Sequence, residues 1–367
     1  MSHRISCRIA GHMAFVLLAV VFHTACGASP QKRSDSTGHA WAVAERTILA
    51  TTDGGTTWVT QAADLPPGHS LRGVAFADPQ TGWVVGSLTD LRSFDVAPGD
   101  ITSVVSLTTD GGADWTQQTL PVRGVARDLV CTDRQHVWAA GGWPDSQWIV
   151  ASSDGGHTWA TQFTADAPRD APGGLTSLAF ADADHGWTVL GNGDVLATTD
   201  GGSNWAVQTT LEGTDGYLSV AFADGRNGWA GGTVMPNTRN NQIGQALVWA
   251  TTDGGTTWKE APGPESAVGV ASLACTDAQH LWAGGDTIYR STDGGATWIA
   301  GQTPGEFVGA LDMSFADSLH GWAAESNKDK AGILATTDGG ATWTRQYKGA
   351  SSVSDVTCPV EAGSSGK

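Results

Sequence analysis

A chain of 367 residues has room for two or three average domains, but repeat architectures of this length form one, so periodicity decides the count. With 40% hydrophobic and 16% charged residues, 49 Gly and 17 Trp, the composition excludes a disordered chain. A net charge of −17 disfavours nucleic acid and anionic lipid faces as partners; it keeps an exported chain soluble or meets a cationic partner.

Residues 1–25 read as an export leader, with Arg4 and Arg8 ahead of an apolar run from Met13 to Phe22 and a short polar step to Ala25. The run is too short for a stable membrane span. Cys26 followed by Gly27 resembles the lipobox of bacterial lipoproteins, where the Cys is acylated and becomes the new N-terminus, although His23 stands where Leu is usual. The alternative is ordinary cleavage near Ala28 and secretion. Residues 26–37, rich in small and polar side chains, form a flexible tether. The expected location is the bacterial cell envelope, with membrane contact through the lipid anchor only.

From residue 38 onward one octapeptide recurs seven times, as TTDGGTTW at Thr51–Trp58, TTDGGADW at Thr108–Trp115, SSDGGHTW at Ser152–Trp159 and four further copies. Its aspartates are Asp53, Asp110, Asp154, Asp200, Asp253, Asp293 and Asp338, spaced by 57, 44, 46, 53, 40 and 45 residues. That is the length of a four-stranded propeller blade. The octapeptide suits a hairpin turn, because its carboxylate can accept turn N–H groups and its paired glycines tolerate positive φ. Its Trp then packs between sheets.

A second motif precedes the octapeptides, of the form VAFAD, a short turn, then GW and an apolar strand, as in VAFADPQTGWVVG at Val74–Gly86. Six complete copies precede six octapeptides. The parts missing for the first octapeptide lie at opposite ends of the chain, in Gly38–Ala44 and Ser352–Val360. The prediction is an all-β fold, a single seven-bladed β-propeller over residues 38–360 whose last blade is closed by both termini, followed by a disordered tail at 361–367.

The octapeptide resembles the Asp-box or BNR repeat of sialidases, sortilin-type receptors, some glucanases and the photosystem II stability and assembly factor-like proteins. The whole repeat, for example GILATTDGGATW at Gly332–Trp343, resembles the last group most fully. That resemblance implies a non-catalytic scaffold that binds a protein partner, such as a membrane protein, as an assembly or stability factor. Its plastid and cyanobacterial members use a basic surface patch, whereas this chain is strongly acidic. The more distant resemblance implies a glycan-binding or glycan-cleaving propeller instead.

A sialidase needs three convergent Arg and a Tyr nucleophile, and that set is not assembled here; only Tyr217, beside an inner strand, is placed to face a pocket. A carboxylate pair on loops stays open as a glucanase arrangement. His39, His136, His185, His280 and His320 share one repeat position, but one per blade cannot converge at the about 2 Å distances zinc requires. They read as turn stabilisers. One Asp per octapeptide is likewise poor for calcium, which takes about 6–8 oxygens, so the seven read as structural and neither metal nor cofactor is expected. Cys131, Cys275 and Cys358 occupy the Phe position of the second motif in non-adjacent blades, beyond the roughly 4.4–6.8 Å span of a disulfide.

In a blade with strands a to d, the octapeptide joins c to d and shares a ring face with the a-to-b turn. Insertions gather on the opposite face, at Ser87–Ser103, Gly142–Gln147, Thr233–Gln245 and Ser326–Ala331. There Arg72 and Arg127 hold one inner-strand position in adjacent blades, with Arg92 and Phe94 in one insertion and Trp143 and Trp148 beside another. These residues, with Tyr217, form the candidate partner-binding surface; the alternative is that they are solvated charges and packing aromatics.

Overall fold

The computed structural model describes residues 38–359 apart from 62–69, 89–100, 143–145, 167–174, 176, 213–217, 235–244, 266–268, 306, 308, 328–329 and 350–351. Among the described residues twenty-eight strands form seven antiparallel four-stranded sheets arranged as a ring, the predicted seven-bladed propeller. Blade 1 runs outward from the axis through Ser70–Phe76 (a), Gly82–Ser87 (b), Thr102–Thr108 (c) and Thr116–Arg123 (d). Strand a of blades 2 to 6 is Val125–Cys131, Ser177–Phe180, Leu218–Phe222, Ser272–Cys275 and Ala310–Phe315. Blade 7 takes strand a from Val353–Thr357 and its other strands from Ala40–Ala44, Thr47–Thr51 and Val59–Gln61. The two ends of the chain thus meet in one sheet, with Trp41 opposite Thr357.

Strands a to c are buried along nearly their whole length, because both faces of each sheet pack against neighbouring blades. Strand d is mostly exposed, as in Thr116–Arg123, where only Leu120 is buried. The joints between blades are aromatic. Trp41 lies flat on Phe76 of the next blade with ring centroids 3.6 Å apart, and Trp138–Phe180, Trp187–Phe222 and Trp282–Phe315 repeat the stack. Each of these Phe rings also meets its own blade's octapeptide Trp edge-on, at 84–87°.

Size is matched across the a-to-b hairpin. Phe76, Phe180, Phe222 and Phe315 stand opposite Gly82, Gly186, Gly228 and Gly321. A Cβ on any of those glycines would meet the facing ring at 2.4 Å. Where the Phe is replaced by Cys131 or Cys275, the facing residue is Val137 or Leu281. Large meets small at either end of the pair, so the joint keeps its volume. Cys131, Cys275 and Cys358 are buried and form no disulfide with one another.

Beside the insertion at Ser326–Ala331, strands Gly321–Asn327 and Lys330–Thr336 run on until Asn327 faces Lys330.

Candidate functional site

The octapeptides come first, because their carboxylates are the most conspicuous polar groups in the sequence. In the blade 7 copy, Asp53 Oδ1 accepts the Thr57 backbone N–H at 2.9 Å and Oδ2 accepts the Thr57 hydroxyl at 2.7 Å. Thr51 Oγ1 donates to Asp53 at 2.9 Å and accepts the Gly55 N–H at 2.8 Å. Gly54 and Gly55 take φ of 70° and 84°, a region that disfavours a side chain. These donors hold the carboxylates below the ordinary Asp value, and in Asp154 the Thr158 hydroxyl and N–H together with Ser152 bring it to about 2. The first glycine ties the face together. Its N–H donates to the a-to-b turn of its own blade, as Gly155 does to Gln135 at 3.0 Å. Its carbonyl accepts an indole N–H from the preceding blade, as from Trp83 to Gly155 at 3.0 Å.

Four of the five repeated histidines are likewise turn residues, whereas the buried Nδ1 of His39 has no hydrogen-bond partner among the described residues and its ring stacks beside Trp41. His136, His185, His280 and His320 each place Nδ1 within 2.8–3.0 Å of the Asp three residues earlier, and Asn227 replaces His in blade 4. Among the described residues no three His, Cys, Asp or Glu side chains converge on one point.

The candidate partner surface divides. Cys26, Arg92, Phe94, Trp143 and Tyr217 lie outside the described residues. Trp148 is corrected: it is 1% exposed, belongs to the core between blades 1 and 2, and donates its indole N–H to the Arg123 carbonyl at 2.8 Å. It packs and presents nothing to a partner. Its proximity in sequence to an insertion misled, since strand c alternates between two equally buried faces. Trp249 is also core.

Arg72 and Arg127 are not solvated loop charges either. Both sit on strand a, Arg127 is 4% exposed, and burial pushes the Arg72 guanidinium below its usual value. Each is passed over in the pairing with strand b, between Leu71 and Gly73 and between Ala126 and Asp128. Blades 6 and 7 carry the same irregularity at Leu311 and Ser354, so four contiguous blades have bulged inner strands. A bulge re-aims the side chain it carries, and bulges gather where a strand serves more than pairing.

At the equivalent inner-strand position of the blades, one residue beyond the bulge where there is one, lie six polar residues that the sequence reading missed, Asp128, Ser177, Ser219, Ser272, Asp312 and Asp355, with Gly73 at the seventh place. Strand a has no neighbour on its axial side, and five of these side chains reach the next blade's backbone, whereas the buried Ser272 hydroxyl finds no hydrogen-bond partner among the described residues. Asp355 accepts from Val74 N at 2.7 Å, Asp128 from Leu178 N at 2.5 Å and Asp312 from Val356 N at 3.1 Å. Ser177 and Ser219 do the same for Val220 and Leu273 at 3.3 and 3.0 Å. Gly73 has no side chain to offer, and Leu129 N turns instead to Asp128 Oδ1 at 2.7 Å. A sequence alignment of the blades on their Phe or Cys position would have exposed this ring as a small polar residue inside an apolar strand.

The remaining buried carboxylate, Glu325, makes a two-point ion pair with Arg345, both contacts at 2.8 Å. Gly332 lies between them, and a Cβ there would meet Glu325 Oε2 at 3.0 Å. On the octapeptide face a groove of about 420 Å³ opens between blades 1 and 2, walled by Thr109, Arg134, Gln135, Asp154 and His157. Arg134 crosses it to pair with Asp78.

Comparison with known proteins bears on the fold. No family model and no curated protein matches the sequence. Among solved structures, YCF48 bound to D1 peptide is similar with a TM-score of 0.52 and 19% identity over 77% of this chain and 84% of that one. YCF48 from Cyanidioschyzon merolae is similar at 0.52 and 20%, over 80% of this chain and 89% of that one. The GH74 xyloglucanase from Xanthomonas campestris reaches 0.64 at 16%, over 90% of this chain but 55% of the enzyme, so this chain spans about half of it. The likeness is one of fold. It joins this propeller both to a peptide-bound protein and to a glycoside hydrolase.

Proposed function

We propose that this protein is an exported, membrane-tethered, non-catalytic propeller that binds a protein partner on the face opposite the octapeptides, as an assembly or stability factor. The observation that carries this reading is where the acids go. All four buried carboxylates among the described residues, Asp128, Asp312, Glu325 and Asp355, are committed to backbone N–H groups or to Arg345. Glycoside hydrolysis needs two carboxyl groups, roughly 5–9.5 Å apart across a substrate cleft and free to act on the bond between them, and these four cannot supply them. The likeness to a propeller seen with a bound peptide supports a protein partner.

The partner surface is placed over blades 1 and 2, where the insertions Ser87–Ser103 and Gly142–Gln147 flank the bulged strands bearing Arg72 and Arg127. Arg92, Phe94 and Trp143 are its proposed contacts, and Trp148 is not. Crosslinking in native membranes with wild type and with Arg92→Ala/Trp143→Ala is expected to lose a specific partner in the variant while the ring folds normally. An unchanged set of partners refutes the placement. The second reading is glycan cleavage, favoured by the likeness to the xyloglucanase. Turnover of xyloglucan or of fluorogenic sialosides, abolished by one Asp or Glu substitution, would replace the first reading with it. Attachment through Cys26 is tested by fatty-acid labelling, which Cys26→Ser is expected to abolish.

A further inference from the structure

The joint that closes the ring is unlike the others. The C-terminal strand Val353–Thr357 enters as strand a of blade 7, between blades 6 and 1, with only its own sheet and those two neighbours to hold it. On one side Asp312 of blade 6 accepts the Val356 N–H, and on the other Asp355 of the strand itself accepts the Val74 N–H of blade 1. Two carboxyl groups therefore occupy consecutive places in the inner polar ring, 0% and 1% exposed. Elsewhere in the ring Ser177 and Ser219 perform the same task without charge.

Two ionised carboxylates side by side in such a place repel one another, and burial disfavours even one. Burial and the negative charge of Asp312 push the Asp355 carboxyl well above its ordinary value, and its buried Oδ1 meets no N–H or O–H donor among the described residues. The other elements packed on the C-terminal strand add little relief. Strand Ala40–Ala44 has no titratable side chain, and strand a of blade 1 brings Arg72, whose own charged form is disfavoured by burial. Gly321–Asn327 brings Glu325, which Arg345 already engages, and Lys330–Thr336 begins with Lys330.

We propose that Asp312 and Asp355 hold a single shared proton, and that this proton clasps the C-terminal strand into the ring and makes ring closure sensitive to pH. Asp355 carries the O–H and donates it to the Asp312 carboxylate, while each keeps an oxygen for its backbone N–H. Unfolding releases the proton at neutral pH, because a solvated Asp ionises near 3.9. A group raised in the folded state stabilises fully below that value, and its contribution is lost as pH rises toward the folded value.

The test uses the full chain and Asp355→Asn, whose amide keeps both the acceptor for Val74 and a donor for Asp312. Denaturant unfolding followed by tryptophan fluorescence is compared from about pH 5 to about pH 8, where one bound proton changes the folding equilibrium up to tenfold per pH unit. The ratio of wild-type to variant folding constants is expected to fall steadily with pH. Parallel curves overturn the proposal. If Asp355→Asn does not fold, infrared spectroscopy of the wild type decides the matter: a protonated carboxyl C=O band at neutral pH is expected, and its absence overturns the shared proton.

Discussion

Exchanging the size-matched pair Phe222 and Gly228 tests the packing argument most directly. In blade 4 the Phe222 ring is stacked on Trp187 at 3.6 Å and held edge-on by Trp258 at 5.8 Å, so it has nowhere to move. A Cβ at Gly228 would meet that ring at 2.4 Å, so Gly228→Val is expected to cost about 1–3 kcal/mol through overpacking. Phe222→Cys empties the same space and is expected to cost about 3–5 kcal/mol, the usual range for deleting a buried ring. Together the two changes recreate the Cys131–Val137 pair of blade 2, in which both residues are buried. The double variant should then be more stable than the sum of the single changes by about 2 kcal/mol, within the usual range for contacting residues. Some loss remains, because an aliphatic side chain introduced at Gly228 cannot stack on Trp187 as the lost ring did. The assay is guanidinium unfolding of the four proteins, with constant m as the check that the same transition is compared. Additivity within about 0.5 kcal/mol would show that the two sites do not share one volume and would refute the reasoning.

Truncation after Gly349 removes strand a of blade 7 and should abolish cooperative unfolding, whereas removal of residues beyond Glu361 should leave the transition unchanged; equal behaviour would contradict closure by both termini. Glu325→Ala strands Arg345 in a partly buried site and should cost about 3 kcal/mol, while Glu325→Met with Arg345→Leu should recover most of it, as urea midpoints will report. The octapeptide aspartates have folded values below the ordinary one, so their stabilisation is present above about pH 4 and is lost as pH falls through those values, to about 2 for Asp154. Combined with the opposite slope from Asp355, thermal stability should peak on the acidic side of neutrality, and a maximum above pH 7 would contradict the pair of assignments.

The blade count and the turns were legible in the chain because each is local, and the closing strand because the repeat leaves its missing parts at opposite ends of the chain. The octapeptide folds on its own hydrogen bonds, from Thr51 to Asp53 to Thr57, and a repeat of such units can close only as a ring whose ends supply the missing strand. The role of His136, His185, His280 and His320 was legible for the same reason, since the Asp partner of each is three residues away. Trp148 was misread because a strand buried on both faces has no polar alternation to reveal it. The bulges at Arg72 and Arg127, the polar ring and the Asp312–Asp355 pair were decided only by tertiary structure. Asp312 and Asp355 stand far apart in the chain, and each serves a backbone N–H of the next blade. What makes them a pair is the closing of the ring, which buries both carboxyls at one joint, away from the water that would otherwise keep their charges independent.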